Sequence, residues 1–427
     1  MNAIKKRKDE EAKDYRTLFF LCFMKKQKYY IVTSATLTVG SFKTKGDFMD
    51  YQLCTRCIMD TSDPEINFDS KGICNHCKEV EKHYKKLPPL EKREKAISNV
   101  IEKIRIEGKN KKYDSLVGVS GGVDSTYVVH FLRTKGLRPL AVHMDNGWNS
   151  ETAVKNLENL LKKLDVDLYT KVLNWNEFKD LQLAFLKSSI LDLEIPTDHA
   201  IRAVVMNTAK KFKLKYIING SNYATESILP RSWSRSQSDW VLIKNIYKQF
   251  GHKKRLRKYP HYTLFNMLSE KLYHFNKISL LDNIDYNKTK AIEILQDNYG
   301  WQYYGGKHYE SVFTRFFQGY ILPKKFGIDK RRAHLSSLIC SGEITRDEAL
   351  EEIKKEPYQD QLQLNEDMEL FKNKLELTDT EFDKLLHLPN KSVMDYPNYE
   401  NTFPYSLFYK KYRQKTINNF KRKISAA

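Results

Sequence analysis

The stretch "SLVGVSGGVDS", residues 115–125, joins a short apolar run to two adjacent glycines and an Asp-Ser pair. The apolar run predicts a buried strand, and residues 123–135 have the pattern of a helix. Gly121 and Gly122 permit a tight turn in which backbone N–H groups approach an anion, and the positive end of the helix dipole faces the same place. The stretch therefore predicts a phosphate-binding turn between a strand and a helix.

The segments after this turn alternate between strand and helix patterns. We predict strands at "DSLVGVS", "RPLAVHMD", "DLYTKVL" and "KYIING", and further helices over residues 150–164, 176–190 and 197–212. Strands alternating with helices of this length predict an α/β fold, in which a parallel sheet carries helices on both faces.

Composition and pattern divide the chain into four regions. Residues 1–48 show no sustained period and are predicted to be a disordered or spurious leader, with Met49 as the alternative start of translation. Residues 49–82 hold a cysteine-rich module, and residues 98–228 hold the α/β domain with the phosphate-binding turn. Residues 229–427 are predicted to be mostly helical.

The amino-acid composition and net charge are those of a folded, basic protein. Of its 427 residues 30% are charged and 12% are aromatic, and the formal net charge is +20. This charge favours anionic partners such as nucleotides, nucleotide sugars or nucleic acid, although a solvated basic surface explains it equally well. The run "GHKKRLRKYPHYT", residues 251–263, has the same two interpretations.

Cysteine use and hydropathy both favour a cytoplasmic location. The apolar cluster "LFFLCFM", residues 18–24, is far shorter than the roughly 20 residues that cross a bilayer, and no cleavage site for a secretory signal follows it. Four of the six cysteines lie close together, and Cys22 and Cys340 stand apart, so no disulfide framework is predicted.

Two common phosphate-binding motifs do not fit the turn. A Walker loop requires a lysine before its final Ser or Thr, and a dinucleotide fingerprint requires Gly-x-Gly-x-x-Gly. An ordinary Gly-Gly turn remains the alternative. Ser120 and Ser125 can add hydroxyl donors, whereas Asp124 would repel a bare phosphate and is better suited to hold Mg²⁺.

The residues "SGGVDS" resemble the signature of the PP-loop ATP pyrophosphatases, which include GMP synthetase, NAD synthetase, asparagine synthetase and the tRNA thiolases. The resemblance implies cleavage of ATP between the α and β phosphates and adenylylation of a substrate oxygen. It implies that pyrophosphate and Mg²⁺ are bound by Ser120, Gly121, Gly122, Asp124 and Ser125.

Two later segments acquire roles from the same resemblance. The end of the second strand, His143 to Asp145, would lie near the adenosine. The segment "NGSNYATE" corresponds loosely to the later strand-end motif of that superfamily, so Gly220, Asn222 and Glu226 would lie beside the phosphates or the metal. This segment departs from the pattern in lacking the paired aspartates of some members.

The four clustered cysteines have the spacing of a zinc site. Two Cys-x-x-Cys turns separated by sixteen residues can present four thiolates to one Zn²⁺ ion, so we predict a structural zinc site at Cys54, Cys57, Cys74 and Cys77. Redox activity is the competing interpretation. His76 lies within the second turn, but four cysteines suffice.

The acceptor of the adenylate is either a sulfur or a nitrogen nucleophile. A thiolating enzyme often needs a reactive cysteine near ATP, and only Cys22 and Cys340 are spare. An amidating enzyme needs ammonia, and no segment has the pattern of a glutaminase. Ammonia would then come from a separate subunit.

Residues 300–350 decide between these hypotheses by resemblance. Together with "CTRCIMDTSDPEINFDSKGICNHC" they resemble the N-acetyl sugar amidotransferases of lipopolysaccharide (O-antigen) and flagellar-glycan (flagellin glycosylation) biosynthesis. The resemblance spans about residues 50–360. It implies an ATP-dependent amidotransferase that adenylylates the acetamido oxygen of a nucleotide-linked N-acetyl sugar and gives an acetamidino sugar. It also implies partners similar to the glutaminase of histidine biosynthesis and its cyclase barrel, which channels ammonia.

Basic residues after position 300 become candidates to stabilise charge developing on the phosphates, since Arg and Lys clamps do so in transition states. The basic candidates for this catalytic role are Lys307, Arg315, Lys330 and Arg331, and Arg332 is a further one. Asp124 of the glycine turn is also a candidate catalytic residue. His308, Glu310 and His334 could orient the sugar or ammonia. Asp198 and His199 are candidates at the start of a helix, where an N-cap by Thr197 is the alternative.

Two other functions stay open. A PP-loop tRNA sulfur transferase predicts a reactive thiol near ATP and salt-sensitive tRNA binding, although nucleic acid is not the expected partner. A non-catalytic nucleotide-binding subunit of a glycan-assembly complex predicts nucleotide binding without pyrophosphate release.

Overall fold

Five short parallel strands make up the central sheet: β1 (Ser115–Gly118), β2 (Pro139–Asp145), β3 (Leu168–Val172), β4 (Tyr216–Asn219) and β5 (Asn276–Ser279). Their order is β3-β2-β1-β4-β5, and Val117 of β1 lies opposite Ala141 of β2 and Ile218 of β4. The chain runs outward from β1 in one direction and then crosses over to β4. A crevice therefore opens between the carboxyl ends of β1 and β4, where open α/β sheets bind their ligands.

The computed structural model describes residues 51–234, 238–253, 255–306, 309–358 and 360–410. The predicted leader lies outside these ranges. Helices before and between the strands are α1 (Asn75–Tyr84), α2 (Leu90–Gly108), α3 (Val123–Thr134), α4 (Glu151–Leu164), α5 (Trp175–Ser188), α6 (Ile195–Lys211), α7 (Tyr223–Glu226), α8 (Trp240–Phe250) and α9 (Leu264–Ser269). After β5 follow α10 (Lys288–Tyr299), α11 (Val312–Phe316), α12 (Arg331–Ser341), α13 (Arg346–Lys354), α14 (Gln361–Leu375) and α15 (Asp379–Leu386).

Helices cover both faces of the sheet. Because successive side chains of a strand point to opposite faces, each strand contributes to two separate cores. Leu116 and Ile217 pack into a core with α5, α6 and α8. Val117 and Ile218 pack into a second core with α2, α3, α4 and α10. The predicted fold class is confirmed: a parallel sheet between two helical layers, preceded by a four-cysteine module and followed by a mostly helical region.

Helix α12 fastens the cysteine module to the rest of the molecule. The Ile58 N–H donates to the Ser336 hydroxyl at 3.2 Å, and Arg332 donates to the Ile58 carbonyl at 3.1 Å and pairs with Asp60. Ser336 is fully buried. Residues that lie far apart in the chain therefore hold the module's backbone in place.

The last helices pack through aromatic rings and through the buried ion pair of Arg315 and Asp367. A π-helix over Phe317–Phe326 continues α11 and ends at Gly327, whose φ is +68°. Phe316 and Phe371 are fully buried, with ring centroids 4.9 Å apart.

Within the described ranges, no helix combines the length and the apolar character needed to cross a membrane.

Candidate active site and metal centre

The turn between β1 and α3 is shaped by two close backbone approaches. Gly121 has φ +87°, and a Cβ at this position would lie 2.5 Å from the Ala153 carbonyl oxygen of α4. Gly220, just after β4, approaches the Asp124 and Ser125 backbone so closely that a Cβ would lie 2.9 Å from it. Both positions require glycine, because any side chain would push the turn open.

Hydrogen bonds within the turn fix its polar side chains. The Gly122 N–H donates to the Ser120 hydroxyl at 3.2 Å, and the Ser120 N–H donates to the Ser125 hydroxyl at 3.3 Å. The Ser125 hydroxyl donates in turn to the Gly122 carbonyl at 3.2 Å. These hydroxyls are thus held at the N-terminus of α3, where the helix dipole favours an anion.

A cavity of about 190 Å³ opens at this turn, in the crevice between β1 and β4. Six of the predicted binding residues line it: Ser120, Gly122, Asp124, Ser125, Gly220 and Glu226. Val123, Ser221, Lys288, Tyr304 and Glu310 complete its lining. Gly121 lies behind the turn against α4.

Asp124 is held by a tyrosine from the segment before α10. The Tyr286 hydroxyl donates to Asp124 Oδ1. Burial, and then the negative charge of Asp124, raises the pKa of Tyr286, so the phenol stays protonated and keeps its donor role. Tyr286 therefore orients the carboxylate predicted to hold Mg²⁺.

The segment after α10 returns to the turn and closes the cavity. The Trp301 indole donates to the Gly121 carbonyl at 3.3 Å, and the Tyr304 hydroxyl accepts from the Val123 N–H. Burial, and then the charge of Glu310, raises the pKa of Tyr304. The Tyr304 oxygen thus lies at a backbone donor at the start of α3, in the position that suits an anionic oxygen.

Glu310 is anchored by backbone pairing. Its carbonyl accepts from the Ser150 N–H at 2.8 Å, and the Val312 N–H donates to the Trp148 carbonyl at 2.9 Å. A carboxylate oxygen of Glu310 lies 3.3 Å from the point that a Cβ on Gly122 would occupy. Glu310 and Tyr304 are therefore close neighbours of the turn, although they come from a distant part of the chain.

Asp145 lies at the carboxyl end of β2, outside the cavity lining. It accepts hydrogen bonds from the Gly147 N–H at 2.8 Å and from the Asn149 amide at 3.1 Å. His143 donates from Nδ1 to the Val119 carbonyl and accepts from Asn149 at Nε2. This polar group borders β1 on the side away from β4, so contact with adenosine stays a prediction.

Asn222 serves a local role beside the cavity. It caps α7, and its side-chain oxygen accepts from the Ala224 N–H at 2.9 Å. The cap orients the short helix that carries Glu226. The Tyr223 N–H donates to Asp282 at 2.7 Å, which ties the same helix to the segment after β5.

Of the predicted basic residues, the described ones, Arg315, Lys330 and Arg331, are not among those that line the cavity. Arg315 makes a bidentate pair with Asp367 at 2.6 and 2.7 Å, and both side chains are buried. Arg331 pairs with Asp329 at 2.6 Å and donates to the Lys355 carbonyl. Their partners are carboxylates and carbonyls of the C-terminal region. Lys307 and His308 lie outside the described residues.

Lys330 belongs to a cluster at the start of α6. It pairs with Glu194 at 3.1 Å. Burial alone would lower the pKa of Lys330, but Glu194 and then Asp192 outweigh it, so its pKa is raised. Burial and the same carboxylates raise the pKa of Asp198. The cluster therefore keeps Lys330 charged and favours the protonated form of Asp198.

One prediction about α6 is wrong. Thr197 does not cap the helix, because α6 already begins at Ile195 and Glu194 occupies the cap position. His199 is fully buried, and its Nε2 accepts from the Tyr262 N–H at 3.0 Å. His334 contacts the Thr225 carbonyl through Nδ1 at 3.1 Å, so it reaches the element that carries Glu226.

The four cysteines of the module converge on one point. The Sγ atoms of Cys54 and Cys77 are 3.9 Å apart, those of Cys57 and Cys74 are 3.7 Å apart, and all four lie within 4.8 Å of one another. Thiolates in a tetrahedron with Zn–S distances of about 2.3 Å lie about 3.8 Å apart. The spacing fits a single tetrahedral ion and leaves no room for a polynuclear cluster.

The surroundings of the sulfurs also fit metal-bound thiolates. Cys54 Sγ accepts backbone N–H groups from Arg56 and Cys57 at 3.4 Å and from Cys74 at 3.3 Å. Such donors stabilise negative charge on sulfur. His76 faces away and pairs with buried Asp63 at 2.7 Å. These four cysteines would hold Zn²⁺, which would supply structural cross-linking.

The C-terminal region matches a described domain. Residues 310–413 match the model of the C-terminal domain of WbpG-like LPS biosynthesis proteins. The match confirms the predicted family resemblance in this part of the chain. Glu310, the first residue of this match, lines the same cavity as the glycine turn.

One curated protein shares a shorter stretch. Over 76 residues the chain is 38% identical to a tRNA(Ile)-lysidine synthase from Chlamydia pneumoniae. This stretch is 17% of this chain and 23% of the synthase. The chain thus spans less than a quarter of that relative.

Three solved structures are also similar to this chain. NMN synthetase from Francisella tularensis is 13% identical and covers 50% of this chain and 94% of its own, with a TM-score of 0.27. The NH3-dependent NAD synthetase from Campylobacter jejuni, in complex with the nitrate ion, is 19% identical (49% and 95% covered, TM-score 0.25). The U34-tRNA thiolase NcsA from Methanococcus maripaludis, with its 4Fe–4S cluster, is 13% identical (58% and 80% covered, TM-score 0.28). These scores are too low to assign an activity.

Four residues of the site escaped prediction from the sequence. Tyr286, Lys288, Trp301 and Tyr304 come from segments more than 150 residues beyond the glycine turn. Tyr286 and Lys288 lie in segments without a motif of their own. Trp301 and Tyr304 lie within residues 300–350, where the family resemblance did not single them out. For Tyr286, Trp301 and Tyr304 the available signal was aromatic character, which does not distinguish a site from a core.

Proposed function

We propose that this protein is an ATP-dependent amidotransferase that converts the acetamido group of a nucleotide-linked N-acetyl sugar into an acetamidino group for surface glycan biosynthesis. The observation that carries the proposal is the shared cavity of the glycine turn and Glu310. Glu310 opens the region that matches the LPS biosynthesis domain. An anion-binding turn and a glycan-biosynthesis domain thereby meet at one place.

The reaction follows from the chemistry of the amide. Resonance makes an acetamido carbonyl a poor electrophile, so its oxygen first attacks the α-phosphorus of ATP and pyrophosphate departs. Ammonia then adds to the carbon of the O-adenylyl imidate. The C–O bond to AMP breaks, and the product is the amidine with its proton. ATP thus supplies a leaving group that the amide lacks.

The cavity residues have roles in this scheme. The hydroxyls of Ser120 and Ser125 and the backbone N–H groups at the N-terminus of α3 would bind the departing pyrophosphate. Lys288 would neutralise its charge, since cations aimed at developing negative charge lower the barrier.

The cavity also fits a divalent cation. Carboxylate oxygens are the ligands that Mg²⁺ prefers, and Asp124 and Glu226 border the same space. Mg²⁺ bound there would neutralise charge on the pyrophosphate. Tyr286 would hold Asp124 in place for this role.

Ammonia is proposed to come from a separate glutaminase subunit through a cyclase-barrel-like partner. The support is that no segment of the sequence has the pattern of a glutaminase. The competing tRNA thiolase needs a thiol beside ATP. Among the residues described as lining the cavity, none is a cysteine, and Cys340 lies at the metal centre. The site therefore favours a nitrogen nucleophile.

The test is pyrophosphate release from ATP with ammonium chloride and a panel of UDP- and CMP-linked N-acetyl sugars, with mass spectrometry of the sugar. We expect release that depends on one sugar, and a product lighter by about one mass unit because NH replaces oxygen. Asp124→Asn should lower the rate roughly 10²-fold or more, since it removes one charge from the site. Asp383→Asn, an exposed change on α15, is the matched control.

Other outcomes distinguish the rivals. Release that requires tRNA and a sulfur donor would establish the thiolase instead. Nucleotide binding without release, even with a glutaminase and its cyclase-barrel partner added, would indicate a non-catalytic subunit.

A further inference from the structure

A fifth cysteine lies at the metal centre. The Sγ atom of Cys340 is 3.7 Å from that of Cys77, the same separation as between the ligands Cys57 and Cys74. Cys340 belongs to α12, and 263 residues separate it from Cys77. The tetrahedral site is complete without it, so structural metal binding does not account for its position.

The five sulfurs differ in their access to solvent. The four ligands are fully buried, with 0% of their surface exposed. Cys340 is partly exposed at the edge of the same cluster. A small oxidant from solution therefore meets Cys340 before it meets a ligand, and exposure is a main determinant of thiol oxidation.

We propose that Cys340 is a peroxide-reactive thiol that forms a disulfide with Cys77 and thereby releases the metal ion. Peroxide first oxidises the Cys340 thiol to a sulfenic acid, and water leaves. The Cys77 thiolate then attacks the sulfenic sulfur. An S–S bond forms, the S–O bond breaks, and hydroxide departs. Two sulfurs lose two electrons in total, and the peroxide gains them.

The exchange opens the metal site. Cys77 gives up its lone pair to the new bond, so three thiolates remain around the ion. A structural zinc site needs four ligands, so its affinity falls. The disulfide joins α1 to α12, two helices that already contact each other. The sulfurs need to approach by less than 2 Å to reach a bonding distance of about 2.05 Å.

The experiment treats the full-length, zinc-loaded protein with hydrogen peroxide. Zinc release is followed with a metallochromic dye and free thiols are counted. We expect one zinc ion released for two thiols consumed, reversed by dithiothreitol with added zinc. Trypsin should yield a linked pair of peptides, residues 72–78 and 333–346, joined through Cys77 and Cys340.

The deciding variant is Cys340→Ser, which keeps a similar volume. It should release zinc at least about tenfold more slowly, because oxidation must then begin at a buried thiolate. Cys22→Ser, which removes the other cysteine outside the four-cysteine motif, should behave like the parent protein.

Three results of the oxidation experiment would overturn the proposal. They are equal release from Cys340→Ser, oxidation of Cys340 to a sulfinic acid with zinc retained, and a disulfide between two ligands instead. Zinc content measured before oxidation makes the comparison fair. A Cys340→Ser protein that binds no zinc would make Cys340 a ligand and would likewise refute the exchange.

Discussion

The metal centre and the phosphate cavity are both closed by the C-terminal region, but they depend on it differently. All four cysteines that would hold a metal ion come from one short segment, and α12 only holds that segment from outside. The cavity receives Lys288, Tyr304 and Glu310 as part of its wall. A candidate metal site can thus be complete in a local motif, whereas this candidate anion site is built in large part by distant residues.

The largest expected effect is on the metal centre. Structural zinc contributes about 10–16 kcal/mol in zinc-finger peptides, so its removal should unfold residues 54–84. Because α12 packs on this module, protection from hydrogen exchange should fall in residues 331–341 as well. The measurement is hydrogen exchange with and without a chelator, and β1 and β2 should keep their protection. Uniform loss, including the sheet, would mean that the two regions are one cooperative unit.

The second effect concerns Arg315, which the sequence assigned to catalysis. Arg315→Met should destabilise the protein by about 3–5 kcal/mol, because Asp367 would stay buried without its charge partner. The KM for ATP should not change, since the pair lies away from the cavity. Denaturant unfolding and steady-state kinetics check both parts.

The matched control for Arg315 is the double variant Arg315→Met with Asp367→Leu. It removes both charges, so it should recover much of the lost stability. A single variant of unchanged stability that lost activity would restore the predicted catalytic role.

The third effect is on the turn itself. Gly121→Ala should lower pyrophosphate release roughly 10²–10³-fold, because a Cβ would lie 2.5 Å from the Ala153 carbonyl and shift the donors. Gly136→Ala is the control, since Gly136 also has a positive φ of +74° but no atom lies within 4 Å of the new Cβ. Both should lose stability from the backbone strain. Equal activity of the two variants would refute a role for the turn's close packing.

The smallest effect is expected at Tyr286. Tyr286→Phe removes one hydrogen bond to the Asp124 carboxylate and should slow the reaction about tenfold, since such charge-assisted bonds contribute about 1.5–3 kcal/mol. The dependence on Mg²⁺ concentration should move to higher values, because Asp124 is less well oriented. Tyr84→Phe, a tyrosine near the metal module, provides the control.

Much of the fold could be predicted from periodicity. The four strands β1 to β4 and the helices between them follow patterns of apolar residues that local sequence shows directly. β5 was missed, because three of its four residues at the sheet edge, "NKIS", are polar and because they lie in a segment predicted to be helical. Edge strands bury little, so they carry a weak apolar pattern.

The candidate site divides in the same way. Glycines, serines and Asp124 are recognisable because the turn's geometry requires those residue types. Tyr286 and Tyr304 are not, because tertiary packing alone decides which aromatic ring meets the turn. Arg315 shows the converse: a basic residue was expected to serve phosphate, but Asp367, 52 residues further on, is its partner.

The attachment of the metal module to α12 has a consequence for synthesis. The Ile58 N–H cannot donate to the Ser336 hydroxyl until the ribosome has added Ser336, which lies 278 residues later in the chain. At about 5–20 residues per second, that gap corresponds to roughly 14–56 s on the ribosome. During this time the four thiols are already outside the tunnel while the helix that covers them does not yet exist. Early capture of a metal ion would therefore shield them until the covering helix arrives.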